Sequence, residues 1–106
     1  MMKNKVLVKL FVPELDYTFD LFIPVNEVMW KVKKLIVKSV SDLTGGSLDV
    51  SKDYILINKL TSIPYSNNII VINTDIRNAT ELILISVKTN NQDFISAKIQ
   101  MPGVDL

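Results

Sequence analysis

The sequence predicts a single α+β domain, a mixed β-sheet with one main helix packed on one face, followed by a C-terminal extension. Three observations predict it. Two apolar runs with period two flank a short turn near the start of the chain. One stretch with helical apolar spacing follows them. Short β-rich runs then lead to a strong strand pattern at Glu81 to Val87, after which the sequence continues to Leu106.

Lys5 to Val12 alternates: Val6, Val8, Leu10 and Val12 share one face, and Lys5, Leu7, Lys9 and Phe11 the other, the period of a strand. Pro13-Glu14-Leu15-Asp16 reads as a turn. Tyr17 to Ile23 reads as a second strand with Phe19, Leu21 and Ile23 on one face, so the two runs form a hairpin. Pro24-Val25-Asn26-Glu27 reads as a helix start, with Asn26 as N-cap and Glu27 at the positive end of the dipole. Val28, Val32, Leu35, Ile36, Ser39, Val40 and Leu43 then recur within an arc of about 140°, the mark of an amphipathic helix. Thr44-Gly45-Gly46 ends it, glycine supplying the left-handed cap.

Tyr54 to Asn58 is the third strand, and Leu60 to Tyr65 a short fourth weakened by Pro64. Asn67-Asn68 is a turn, and Ile69 to Asn73 fits either a strand or a short helical turn. Asn78-Ala79-Thr80 leads into the closing strand. Asn90-Asn91-Gln92 forms another turn, and Phe94 to Met101 alternates with Ile95, Ala97, Ile99 and Met101 on one face, as an added strand would. The expected division is a domain over 1–89 and an extension over 90–106.

Composition narrows the function. The 106 residues suit one modest core. The apolar content of 48% is spread over short runs, far from the roughly 20 consecutive apolar residues of a membrane span, so no membrane insertion is expected. Met1-Met-Lys-Asn-Lys5 has no apolar stretch behind it that would make a signal peptide. There is no cysteine, hence no disulfide or thiolate site, and the expected location is cytoplasmic. A net charge of +1 argues against nucleic acid as a partner. There is no histidine, which removes nucleophile–histidine dyads and histidine metal sites. Glu14 and Asp16 share a turn, but nothing desolvates them as a catalytic pair would require. There is no phosphate-binding glycine loop. The expectation is no enzyme, no catalytic residue, no cofactor and no metal.

The order hairpin, helix, strand, short strand, closing strand is the layout of the β-grasp fold, and over about residues 4–87 the chain resembles ubiquitin-like proteins. The matching features are Pro24 before a helix with the Val28/Val32/Leu35-Ile36 stripe, and Ile55-Leu56-Ile57 after a short loop. The series Val71, Ile76, Leu82 and Leu84, with Thr80 before the last strand, completes them. Among small bacterial proteins of this kind the chain resembles the YukD/EsaB family, cytosolic, non-conjugated accessory components of the WXG100 (type VII, ESX-like) secretion system of Gram-positive bacteria. The resemblance implies a protein partner from that machinery. Residues from about Asn90 have no counterpart in the minimal family domain, and no family-specific binding residue maps onto this sequence. Conjugation and sulfur transfer need a flexible C-terminal Gly-Gly. The sequence finishes Val104-Asp105-Leu106 and its Gly-Gly, Gly45-Gly46, is internal, so neither is expected.

Periodicity points to where a partner would bind. If Val6, Val8 and Leu10 face the helix, Leu7 and Phe11 face away. The same alternation, carried to the later strands, places Leu56, Ile83 and Ile85 outward as well, with Phe22. Leu7, Phe11, Leu56, Ile83 and Ile85 form the expected protein-binding patch. Trp30 lies about 150° from the centre of the helix stripe, with Val37 on the same side and Lys31, Lys33, Lys34 and Lys38 making a basic face. Trp30, Lys34 and Val37 are the expected secondary contact. The patch docks a secretion-machinery protein, pairs two copies as a homodimer, or is covered by the chain's own last strand.

Overall fold

The computed structural model describes residues 4–87. Strand β1 (Lys5–Val12) pairs antiparallel with β2 (Tyr17–Pro24), Lys5 opposite Pro24 and Val12 opposite Tyr17. The turn between them is a 3-10 helix, Pro13–Leu15, whose first position suits the fixed φ of proline. Asp16 closes it in the left-handed region at φ 50°. Then come α1 (Met29–Leu43), β3 (Tyr54–Asn58), a second 3-10 turn (Val71–Asn73) and β4 (Glu81–Ser86).

The last strand enters the middle of the sheet. The order is β2-β1-β4-β3, with β4 parallel to β1 and antiparallel to β3, and α1 lies across one face. This is the ubiquitin-like fold. Val8, Leu10 and Val12, Phe19 and Ile23, Leu82 and Leu84 point from the sheet onto Met29, Val32, Ile36 and Val40 of the helix. Val71 and Ile76 are buried in the same cluster. Each such side chain contributes about 1.5–3 kcal/mol when withdrawn from water. The matched series Val71, Ile76, Leu82 and Leu84 is thus core throughout.

The helix departs from its expected phase. Its buried residues are Met29, Val32, Ile36, Val37 and Val40, whereas Leu35 and Leu43 are exposed. The buried arc is therefore rotated by about 60° from the one the sequence suggested. Its start is also later. Val28 is the N-cap and no side chain caps it, so Asn26 does not fill that role. Backbone carbonyls do the capping instead: Ile69 O accepts from Met29 N at 2.8 Å and Asn67 O from Trp30 N at 3.1 Å. The segment carrying them runs alongside, Val71 N donating to Glu27 O at 3.0 Å and Ile72 N to Val25 O at 2.8 Å. At the other end the expectation holds. Gly46 N reaches Ser41 O at 2.8 Å and Gly45 has φ 66°, closing α1 with the left-handed glycine cap.

Leu60 to Tyr65 is not a strand. A single bridge joins Pro64 to Ile57, because proline offers no amide and Ser62 turns the chain at φ 62°. The ambiguous run Ile69 to Asn73 resolves into a bridge at Ile70 and the 3-10 turn. The turn at 90–92, the strand expected over Phe94 to Met101, and the boundary at residue 89 lie outside the described residues.

Candidate protein-binding surface

The outer sheet face is built by the odd positions of β1, β3 and β4. Phe11 stands beside Ile83, Ile83 beside Ile57, and Ile85 beside Ile55. These residues make one apolar block over three strands. All keep part of their surface in contact with solvent, and Ile85 is 37% exposed. A contiguous apolar block, unlike a single exposed isoleucine, is the kind of surface on which binding sites are sought.

A row of charges bounds the block. Lys9 lies between Asp20 on β2 and Glu81 on β4 in the ladder, and Lys59 follows beyond Glu81. Lys9 Nζ contacts Asp20 Oδ1 at 3.3 Å, and Lys59 Nζ contacts Glu81 Oε1 at 3.2 Å. The row reads minus, plus, minus, plus across the sheet. On its far side Leu7 and Phe22 face each other across β1 and β2, with 36% and 51% of their surfaces exposed. Leu7 is therefore outward as expected, but it is divided from Phe11, Ile83 and Ile85 by the charges.

Leu56 is a correction. It is fully buried against the helix side, and Ile55 and Ile57 take the outward positions. The three consecutive apolar residues carry no alternation, so their phase cannot be read from them alone. Their polar neighbours fix it. The Tyr54 hydroxyl donates to Asp49 O at 2.7 Å, and Asn58 joins a hydrogen-bonded group on the helix side with Tyr65 and Asp75.

The secondary contact is also rearranged. Val37 is 6% exposed and belongs to the core. Trp30 sits at the flank of the buried arc, 42% exposed, with Lys31 Nζ and Lys34 Nζ each 5.7 Å from its ring centroid. Together with Lys33, Lys34, Val37 and Tyr54 it lines a groove of about 750 Å³ between α1 and the loop before β3. Lys33 Nζ donates to Tyr54 O at 2.9 Å on that wall. Burial lowers the Lys33 pKa, against the raising effect of nearby Asp53. Burial likewise raises that of Tyr54, helped by Glu14 and Asp49. The groove is the feature the sequence reading missed. Its signals were Val50 and Tyr54, two apolar residues either side of Ser51-Lys52-Asp53, facing the lysine-bearing side of the helix.

Among the described residues no three or more His, Cys, Asp or Glu side chains cluster as a metal site would require. No helix among them is long and apolar enough to cross a membrane.

No family model matches the sequence, and no curated protein does. Solved structures do. The ubiquitin-like domain of EccD5 from Mycobacterium xenopi superposes with a TM-score of 0.66 at 11% identity, over 81% of this chain and 98% of that one. The ubiquitin-like domain of the Mycobacterium tuberculosis type VII secretion system protein EccD1 gives 0.62 at 15%, over 77% and 98%. A chain of the MycP5-free ESX-5 inner membrane complex gives 0.64 at 12%, over 91% of this chain and 26% of that one. The C-terminal ubiquitin-like domain of a human 2'-5'-oligoadenylate synthetase-like protein is close behind at 0.60 and 16%, over 85% and 92%. At such identities the likeness establishes a shared fold, one that type VII secretion components have in common with proteins of other kinds.

Proposed function

We propose that this protein is a non-conjugated ubiquitin-like binding module of a type VII (WXG100) secretion system, a cytoplasmic accessory component of the YukD/EsaB kind that docks a protein of that machinery. The observation that carries the reading is the apolar block Phe11, Ile55, Ile57, Ile83 and Ile85 on the sheet face opposite the helix. The ubiquitin-like domains of EccD components and the ESX-5 chain, all similar in fold, support the assignment to secretion. The pair Gly45-Gly46 closes α1, which supports the non-conjugated part of the reading. The test is co-purification of the tagged full chain with the membrane complex of its own host's secretion system. Wild type is expected to be retained, and an Ile57→Asp/Ile83→Asp variant with unchanged circular dichroism to lose retention at least about tenfold. Equal retention of the variant defeats the proposal.

A homodimer through the same face is the second reading, and the charged row favours it. Turned about an axis parallel to the strands, the row Asp20, Lys9, Glu81, Lys59 meets its own reverse. Asp20 then opposes Lys59 and Lys9 opposes Glu81, while apolar block meets apolar block. Sedimentation equilibrium separates the readings: a monomer across the micromolar range removes the dimer.

A further inference from the structure

The groove between α1 and the loop before β3 is apolar within and basic at its rim. Val37 and Tyr54 line it as buried side chains, with exposed Val50 and half-open Trp30 beside them. Lysines outnumber carboxylates in the same lining, where Asp42 and Asp53 are the acids. Most of these charges are already engaged. Lys38 Nζ lies 3.2 Å from Asp42 Oδ2, and Lys52 Nζ lies 3.5 Å from Glu14 Oε2. Lys33 Nζ donates to Tyr54 O at 2.9 Å, with the Asp53 charge nearby. Lys31 and Lys34 differ. Each holds its Nζ 5.7 Å from the centroid of the Trp30 ring. Among the described residues neither has a carboxylate within salt-bridge distance, Glu27 one turn before Lys31 included.

These features select a ligand. Residues three apart on a helix have their Cβ atoms about 5–6 Å apart, so one short acidic segment reaches both Lys31 and Lys34. A carboxylate placed there gains charge-assisted hydrogen bonds that the described chain does not supply. The buried apolar lining beside the charges takes a single projecting side chain, and an aromatic ring is a good neighbour for one. A bilayer face is flat and would leave Val37 and Tyr54 untouched. A nucleic acid would meet a chain with a net charge of only +1 and the carboxylates of Asp42 and Asp53 on the same wall.

We propose that this groove binds an acidic peptide segment of a partner protein, with an aromatic or branched apolar side chain against Trp30 and the neighbouring carboxylates on Lys31 and Lys34. The groove runs along α1, whereas the apolar block lies on the sheet face opposite the helix, so the two surfaces can be occupied independently.

The probe is an end-capped peptide with one phenylalanine between two pairs of glutamates. A fluorescein-labelled form is titrated with the full chain and followed by anisotropy. Saturable binding at submillimolar concentration is expected, and the unlabelled peptide should change the emission of Trp30, the chain's single tryptophan. Replacing the glutamates by glutamine, or the phenylalanine by alanine, should each weaken binding about tenfold. Lys34→Glu should also weaken it about tenfold, while Lys5→Glu, the same change of charge at the exposed start of β1, should leave it within about twofold. Absence of saturable binding overturns the proposal. Equal weakening by Lys34→Glu and Lys5→Glu overturns it as well, since the attraction is then one of net charge. Phosphatidylglycerol vesicles that shift Trp30 emission where the peptide does not would assign the face to a membrane and overturn the peptide site.

Discussion

The Tyr65 hydroxyl donates a hydrogen bond to Asp75 Oδ1 at 2.5 Å, closing the loop after β3 onto the segment that precedes β4. Beneath this pair Asn58 is almost wholly buried and fully engaged. Its Nδ2 donates to Tyr65 Oη at 3.0 Å and to Asp75 Oδ2 at 3.3 Å, and its Oδ1 accepts from Leu60 N at 2.8 Å. A buried amide with all these partners adds order to the end of the sheet, and losing one partner costs more than the bond itself contributes.

The first prediction concerns alkaline pH. Burial, and then the bond to the Asp75 carboxylate, push the Tyr65 pKa from 10.0 up to about 12. The folded value lies above the unfolded one. Its contribution to stability is therefore complete below pH 10 and disappears as pH rises through about 12. Tyr54 is shifted the same way, while Lys33, lowered from 10.5, acts in the opposite sense and favours folding as pH climbs toward 10.5. Urea midpoints measured from pH 9 to 11.5 should fall for the parent above pH 10, and fall less steeply for Tyr65→Phe. Parallel curves for the two proteins would contradict this origin of the pH dependence.

A second prediction separates the two faces of β3. Leu56→Ala opens a cavity under α1 and should destabilise by about 2–5 kcal/mol. Ile57→Ala, one residue along, removes only a half-buried cross-strand contact with Ile83 and should lose about 1 kcal/mol or less. Chemical denaturation of the two variants reads the register directly.

Gly45 supplies a third. An added Cβ there meets nothing within 4 Å, so the penalty of Gly45→Ala comes from its φ of 66° alone. Left-handed backbone costs a residue with a side chain roughly 1–2 kcal/mol. For a domain of this size each kcal/mol lowers Tm by about 4–8 °C in a thermal melt.

The junction of β1 and β4 gives the fourth. Asn78 Oδ1 accepts from Leu7 N at 2.9 Å, extending the parallel ladder beyond β4 with a side chain where backbone is missing. Asn78→Ala should reduce stability by about 0.5–1.5 kcal/mol, and the Leu7 amide should exchange with deuterium faster while that of Leu10 does not.

Much of the fold was legible because its period was clean. Val8, Leu10 and Val12 alternate with Lys5, Leu7 and Lys9, and Phe19 with Asp20, so the hairpin and its inward face follow from local contrast. The glycine cap after α1 was equally local. The misreadings occurred where contrast was absent or where distant chain decided the outcome. Ile55-Leu56-Ile57 offers no polar residue within the run, and the anchors Tyr54 and Asn58 declare their direction only through partners elsewhere. In α1, Met29 and Val37 are core while Leu35 and Leu43 are exposed, a phase set by distant chain, since Tyr54 and Val71 lie in the same buried cluster. The binding face was half legible: Leu7, Phe11, Ile83 and Ile85 point outward, but the charges of Lys9 and Glu81 divide them only once cross-strand neighbours are known.

The carbonyls of Asn67 and Ile69 that cap α1 belong to chain made well after the helix, as does β4, which must slip between β1 and β3. On a ribosome the first half of the protein can emerge as hairpin and helix stretch, but the helix's opening turn has no acceptors and the sheet has a gap at its centre. Folding then waits for β4, with long-range contacts closing together and little of the native sheet available before it. An amide-exchange pulse during refolding should protect Met29, Trp30 and the β4 amides in one step. A truncation before Glu81 should yield no partial domain but an unfolded chain.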